Sequence, residues 1–150
     1  MADVEVDQSI KIGDTHAPTV IAMADDTERA LLIPTIAKRI CIRTLRGRWK
    51  SKTLPYFRLF AAALFLLLGE HLEHGYRIII DVEYPGHEGD IKSDLLLFCR
   101  RAGLVVDPDL IHFAQVGKHS PAHRVAIETL RGKRTPDVVA TAEALLEIVG

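Results

Sequence analysis

The feature that most constrains the fold is a run of three isoleucines, Ile78 to Ile80, that continues directly into Asp81, Val82 and Glu83. Consecutive β-branched residues predict a strand that is buried on both faces, as in a parallel sheet. Side chains two apart on a strand share a face, so Asp81 and Glu83 are expected to project together from its carboxyl end, the edge where open α/β sheets bind ligands. Unit charges about 4 Å apart repel by roughly 4 kcal/mol at an effective dielectric near 20, and a bound cation would remove that cost.

The length and composition predict one domain. The 150 residues are 48% hydrophobic, which is enough for a single core flanked by helices and leaves no room for a second domain. Cys41 and Cys99 lack a metal-type or disulfide-type spacing and are predicted to be reduced core residues.

The acidic first residues lack the apolar segment of a secretory signal, so the expected location is cytoplasmic. The apolar block from 56 to 68 is shorter than the roughly 20 residues of a membrane span and contains Arg58, so it predicts a buried helix.

The charge is distributed unevenly along the chain. Residues 30 to 69 contain no aspartate or glutamate, whereas eight lysines and arginines lie there: Lys38, Arg39, Arg43, Arg46, Arg48, Lys50, Lys52 and Arg58. One interpretation is a solvated strand and loop. The other is a surface that contacts nucleic-acid phosphates, with Trp49 available for base stacking. The residues expected to bind nucleic acid in this interpretation are Arg43, Arg46, Arg48, Lys50 and Lys52.

Turn signals divide the chain into alternating elements. The predicted strands cover 4–12, 19–24, 29–45 with a bend near Pro34, 76–83 and 110–116. The predicted helices begin near Leu54, at Asp90 and at Pro121, and a last helix covers 136–149. Tight turns make the first three strands antiparallel, and intervening helices make the later ones parallel. The predicted fold is therefore α/β, a mixed five-stranded sheet with helices on both faces.

Two further motifs accompany the acids that follow the isoleucine run. The first predicted strand contains Val6-Asp7-Gln8-Ser9, and the last one leads into the segment 116–123, Val-Gly-Lys-His-Ser-Pro-Ala-His. Together with the order of elements, these motifs resemble the ribonuclease H-like superfamily, which includes ribonucleases H, Holliday junction resolvases, transposases and integrases. The resemblance spans essentially the whole chain and identifies no family within the superfamily. In that superfamily the first strand carries an aspartate, the fourth strand ends near another acid, and an acid or histidine lies near the start of the helix after strand five.

The resemblance implies a metal-dependent nuclease that acts on structured nucleic acid. Asp7, Asp81 and Glu83 would be the metal ligands, and their oxygens suit Mg²⁺ or Mn²⁺ better than zinc. Two such ions about 4 Å apart activate a water and stabilise the leaving oxygen of a phosphodiester. His123 or His119 would move protons, with the stronger case for His123 because its position in the first helical turn faces inward.

The sequence departs from the superfamily pattern in one respect. Many members have a third carboxylate on the first half of the helix after strand three, yet residues 30 to 69 contain no acid, and Glu70 and Glu73 come too late. The missing ligand would come from Glu83 or from the loop residue Glu88. Otherwise the site holds its metal less tightly than usual, or it is not catalytic.

Three functions remain open at this point. The leading hypothesis is the nuclease, with Lys118 as an additional phosphate contact. The second is a module of the same fold that binds nucleic acid or protein without catalysis. The third is an enzyme acting on a small phosphorylated molecule through the glycine turn at 86–89. The expected partners are nucleic acid and a second copy of the chain, pairing through an uncovered part of the helix at 57–68; no membrane is expected.

Overall fold

The computed structural model describes residues 3–150, and this part of the chain is an α/β domain with a mixed six-stranded sheet and five α-helices. The strands are β1 (Val4–Ser9), β2 (Thr19–Ala24), β3 (Glu28–Ile33), β4 (Ile78–Asp81), β5 (Ile111–Ala114) and β6 (Val138–Val139). The helices are α1 (Thr35–Arg46), α2 (Leu54–Glu73), α3 (Glu88–Arg101), α4 (Pro121–Leu130) and α5 (Ala142–Val149), with a 3₁₀ turn at Pro108–Leu110.

The strand order in the sheet is β5-β4-β1-β2-β3-β6. The first three strands pair antiparallel, β4 pairs parallel with β1, and β5 pairs parallel with β4. This confirms the predicted succession of three antiparallel and two parallel strands. The prediction of five strands is wrong by one, because β6 adds a parallel strand beside β3 at the far edge.

Helices cover both faces of the sheet. Alternate residues of β1 to β3 face a large core formed with α1, α2, α3 and α5, whereas the residues between them face a small cluster with α4. The small cluster consists of Val20, Ala22, Ala30, Val125 and Ala126. Cys41 and Cys99 are buried free thiols, as predicted. The sheet therefore has a large apolar core on one face and a small one on the other.

The α2 helix is apolar on nearly every side because other helices surround it. Its 20 residues are long and apolar enough for a membrane span by length and composition, but more than half of its apolar stretch is buried within the fold. It packs against α1, α3 and α5 and against the sheet. Phe65 and Leu66 remain partly exposed. Pairing of two copies through α2, like the cytoplasmic location, stays a prediction.

The predicted third strand, 29–45, is wrong beyond Ile33. Proline at position 34 cannot donate to a sheet ladder but is tolerated at a helix start, and α1 begins at the next residue. Burial then follows a helical period, because the buried residues of α1 are Ala37, Lys38, Cys41, Ile42 and Leu45. The basic residues of this region therefore lie on a helix and the loop after it, not on a strand.

The predicted last helix, 136–149, is also wrong in its first half. Val138 and Val139 pair with β3 instead, and Asp137 fixes this pairing by accepting a 2.8 Å hydrogen bond from the backbone N of Ala30. The helix begins only after Thr141, whose hydroxyl accepts from the backbone N of Ala144.

The strands predicted at 4–12, 76–83 and 110–116 are shorter than expected, and α3 begins at Glu88 rather than Asp90.

Candidate metal centre

The site is built by two neighbouring parallel strands. Val4 and Val6 of β1 lie opposite Ile78 and Ile80 of β4, and continuing this register by one residue places Asp7 beside the last residue of β4, Asp81. The valines and isoleucines face the large core, so the acids that follow them face the side of α4. The carboxyl ends of the two strands thus bring two distant parts of the sequence together.

Three carboxylates converge at this edge. One carboxylate oxygen each from Asp7, Asp81 and Glu83 lies within 4.8 Å of the others, and this is the only such cluster found within residues 3–150. Asp7 is only 5% exposed, and the other two acids are half-buried. They open into a pocket of about 280 Å³ whose remaining lining residues are Gln8, Val82, Gln115, Gly117, Lys118 and His123. The cluster is therefore partly accessible to solvent, through Asp81 and Glu83.

Fixed donors orient both aspartates. Asp7 Oδ1 accepts a 2.8 Å hydrogen bond from the backbone N of Gln8, and Asp7 Oδ2 lies 2.7 Å from Nδ1 of His123. Asp81 Oδ1 accepts a 2.8 Å hydrogen bond from the backbone N of Val116, two residues after the end of β5. These contacts hold the carboxylates in place before any ligand arrives, which reduces the ordering cost of binding.

Glu83 shows the electrostatic cost of the arrangement. Its pKa is raised from 4.5 to about 8, chiefly by burial and in addition by hydrogen bonds to Asp81 and Asp7 and by the negative charges of these two acids. Within residues 3–150, no lysine or arginine nitrogen lies within 4.0 Å of Asp81 or Glu83. Asp81 and Glu83 are therefore not explained as halves of structural ion pairs with a lysine or arginine. Their oxygens are the ligand type that Mg²⁺ and Mn²⁺ prefer, so the donor set fits such an ion.

His123 reaches this cluster because the start of α4 is fixed against β1. The Ser120 hydroxyl accepts from the backbone N of Ala122 as the helix cap and donates a 3.2 Å hydrogen bond to Glu5. His123 is about one-third exposed at its side chain, and its contact to Asp7 uses Nδ1. Since a carboxylate can only accept, Nδ1 carries a proton and Nε2 is left for the pocket.

Some predicted site residues lie outside the cluster. Glu88 occupies the first turn of α3 and does not belong to the group of three acids. Of the two residues that the sequence offered as the third carboxylate, Glu83 and Glu88, only Glu83 joins Asp7 and Asp81. His119 is exposed and does not line the pocket, whereas Lys118, also exposed, does. Arg43 and Arg46 on α1, and Arg48, Lys50 and Lys52 after it, are exposed and do not line the pocket either.

The sequence reasoning missed a polar support beneath the site. Tyr84 donates a 3.1 Å hydrogen bond to Oε1 of Gln8 and accepts one from the backbone N of Ile12. Burial raises the pKa of Tyr84 to about 12, so it remains a neutral donor. Gln8 is 8% exposed, and its Nε2 has no hydrogen-bond partner among residues 3–150. The signal for this support in the sequence was Gln8, an uncharged polar residue next to Asp7 in a strand that the fold buries.

The loop after β1, residues 10–18, is held in an unusual conformation. Ile10 has a φ of 66°, a region that β-branched residues rarely adopt. Thr19 stabilises this turn by donating a 2.9 Å hydrogen bond to the carbonyl of Ile10, and the buried Lys38 donates to Thr19 at 3.0 Å and to the carbonyl of Lys11 at 3.3 Å. Contacts from β2 and α1 thus fix the chain immediately beyond Asp7.

Comparisons of the chain with protein-family models, with curated proteins and with solved structures found no match. The chemistry and geometry of the site itself are therefore the basis for its function.

Proposed function

We propose that this chain is a nuclease of ribonuclease H-like fold that hydrolyses phosphodiester bonds in structured nucleic acid with Mg²⁺ or Mn²⁺ held by Asp7, Asp81 and Glu83. The observation that carries the proposal is the convergence of three carboxylate oxygens within 4.8 Å at the carboxyl ends of two adjacent parallel strands. Ligand sites of open α/β sheets occur at this edge.

The electrostatics of the cluster support a cation. The raised pKa of Glu83 reflects burial first and then the neighbouring acids Asp81 and Asp7, and no lysine or arginine within residues 3–150 pairs with Asp81 or Glu83 to offset these effects. A divalent ion would offset this repulsion and keep all three carboxylates charged. Perturbed groups in a pocket are characteristic of functional sites.

The residues of the pocket have separable roles in this proposal. The metal would supply a water of lowered pKa and charge stabilisation for the leaving oxygen. Asp7, Asp81 and Glu83 would hold it. His123, oriented through Nδ1 by Asp7, would accept or donate a proton at Nε2, and Lys118 at the rim would attract a phosphate.

The topology supports the same proposal. Acids on β1 and at the end of β4, with a histidine in the first turn of the helix after β5, follow the order on which the resemblance to the superfamily rests. Two features depart from it: the additional strand β6 and the absence of acids from 30 to 69. In this proposal Glu83 takes the role of the carboxylate that the helix after strand three lacks.

The test combines metal binding with cleavage. We expect Mn²⁺ at about 100 times its Kd to stabilise the protein by about 2.7 kcal/mol, and hybrid, branched or single-stranded substrates to be cut only with the metal. We expect Asp81→Asn to lower cleavage by about 100-fold or more and to weaken the Mn²⁺ stabilisation. Asp109→Asn, an exposed acid outside the pocket, is the matched control. Full-rate cleavage by Asp81→Asn contradicts the assignment.

A second candidate is the non-catalytic binding module, which the acid-free stretch from 30 to 69 favours. It predicts binding of nucleic acid or protein with neither cleavage nor stabilisation by Mn²⁺. The enzyme acting through the glycine turn at 86–89 stays a prediction; in the structure His87 of that turn stacks on Phe57, with ring centroids 4.2 Å apart.

A further inference from the structure

A second polar feature lies between α1 and the loop 10–18, outside the carboxylate pocket. It is a groove of about 330 Å³ lined by Thr15, Arg39, Ile42, Arg43 and Arg46. The three arginines are four and three residues apart and therefore share one face of α1. We call this feature the arginine groove.

The charges of the arginine groove are not neutralised by protein acids. Within residues 3–150, none of its three guanidinium groups lies within 4.0 Å of a carboxylate. Asp14, the acid of the neighbouring loop, is turned towards His16, whose backbone N donates to it at 3.0 Å. Like charges one helical turn apart repel. A bound anion would offset that repulsion.

Two of the arginines are already positioned. Arg39 donates through Nε to the carbonyl of Thr15 at 2.8 Å, and Arg46 donates to the hydroxyl of Tyr56. Each of these bonds leaves other guanidinium N–H groups available. Arg43, between them, makes no side-chain hydrogen bond within the described residues and is exposed. Guanidinium groups arranged in this way suit the paired oxygens of a phosphate.

The arginine groove lies at the same edge of the sheet as the carboxylate pocket. Both β1 and β3 run antiparallel to β2, so their carboxyl ends share an edge, and α1 follows β3 directly. Thr15 lies only eight positions after Asp7, which limits their separation to roughly 28 Å even for an extended chain. With a rise of about 3.4 Å per nucleotide, that is no more than roughly eight base pairs of a duplex.

We infer that the arginine groove binds the phosphate backbone of the nucleic acid whose reacting bond lies in the carboxylate pocket, within roughly eight base pairs of that bond. This inference rests on the proposed function for the identity of the ligand. The groove would supply affinity and register, because phosphate contacts position a nucleic acid without specifying its sequence.

The experiment measures binding without metal, so that it does not depend on cleavage. A labelled duplex or hybrid of about 16 base pairs is titrated with the whole chain in a chelator, at salt concentrations from about 50 to about 200 mM. We expect Arg43→Gln to weaken binding and to reduce the slope of log affinity against log salt by about 0.7 to 0.9, the loss of one phosphate contact. Arg43→Glu should weaken binding further. Arg131→Gln, an exposed arginine at the end of α4, is the matched control and should bind as the wild type does.

Thermal melting verifies folding, which Arg43 variants should retain because the side chain is exposed and unbonded. Equal affinity and slope for Arg43→Gln and Arg131→Gln overturn the inference. Arg43-dependent binding of inorganic phosphate, or of anionic phosphatidylglycerol vesicles, without binding of the oligonucleotide also overturns it. Arg43-dependent oligonucleotide binding in a protein that never cleaves would support the groove while removing the nuclease proposal.

Discussion

At the scale of single residues, two histidines four positions apart have different surroundings. His123 is one-third exposed and is held by Asp7, whereas His119 is exposed and lies outside the pocket. The sequence favoured His123 from its position in the first turn of a helix. The structure supplies the partner, which the sequence could not, because the contact joins residues 116 positions apart.

The pair allows a matched test of proton transfer. We expect His123→Asn to lower cleavage turnover by about 10² to 10⁴-fold. The amide N–H can still donate a hydrogen bond to Asp7, but the amide cannot take up a proton and release it as an imidazole does. Mn²⁺ affinity, measured by titration, should change little since the three carboxylates remain. His119→Asn should keep full turnover. Equal losses in both variants, or none in either, would contradict the role given to His123.

The clustering of the acids could be predicted from the sequence only so far as the alternation of side chains along a strand places acids on one face. Asp81 and Glu83 follow from the isoleucine run, and Asp7 follows from the alternation of the first strand. Glu88 could not be excluded, because its distance from the cluster depends on where α3 begins. Gln8 and Tyr84 were missed because their hydrogen bond joins distant parts of the chain on the opposite face of the strand.

At the scale of secondary-structure elements, the main error of the sequence prediction was to extend the third strand over the residues that form α1. Ile33, Ile36, Ile40, Ile42 and Thr44 are β-branched, and such residues favour strands. Burial on one face overrides that propensity, and the helical spacing was already present in the positions that became buried. The two-residue strand β6 was beyond prediction, since its pairing depends on long-range contacts with β3.

A buried lysine on α1 gives this element a pH-dependent contribution to stability. Burial lowers the pKa of Lys38 from an ordinary 10.5 to about 8, and Asp14 offsets part of that shift. Between these values the unfolded chain still holds the proton that the folded chain has lost, so folding becomes more favourable as pH rises. Below about pH 8 the buried ammonium is charged in both states, and its full cost is present.

We therefore expect the stability of the wild type relative to Lys38→Met to rise by about 1 to 3 kcal/mol between about pH 7 and about pH 10.5, measured by urea unfolding. The carbonyl of Lys11 keeps its bond from the backbone N of Asp14, and Thr19 keeps its bond to Ile10, so the variant should fold. Lys133→Met, an exposed control, should show no such trend. A difference for Lys38→Met that is constant with pH would contradict the role of burial.

At the scale of the whole molecule, the two layers that flank the sheet are unequal. The side of α1, α2, α3 and α5 contains most of the large buried side chains, whereas α4 packs through a cluster of valines and alanines. The sequence predicted helices on both faces but not this inequality, because the period of a helix does not reveal how much apolar surface its partner face offers. The proposed proton carrier, His123, therefore sits on the layer with the smaller apolar contact.

This inequality predicts that the two layers open separately. Local opening is easier where less apolar surface is buried, so backbone amides of α4 should exchange hydrogen with solvent about tenfold or more faster than those of the central part of α2. Val125→Ala should speed exchange in α4 roughly tenfold further, through the loss of about 1.5 kcal/mol of buried methyl groups, and leave α2 unchanged. Phe60→Ala, in the large core, should instead destabilise the whole fold by about 3 to 5 kcal/mol and speed exchange in both helices. Exchange that accelerates equally in α2 and α4 when Val125 is truncated would show that the two layers unfold as one unit.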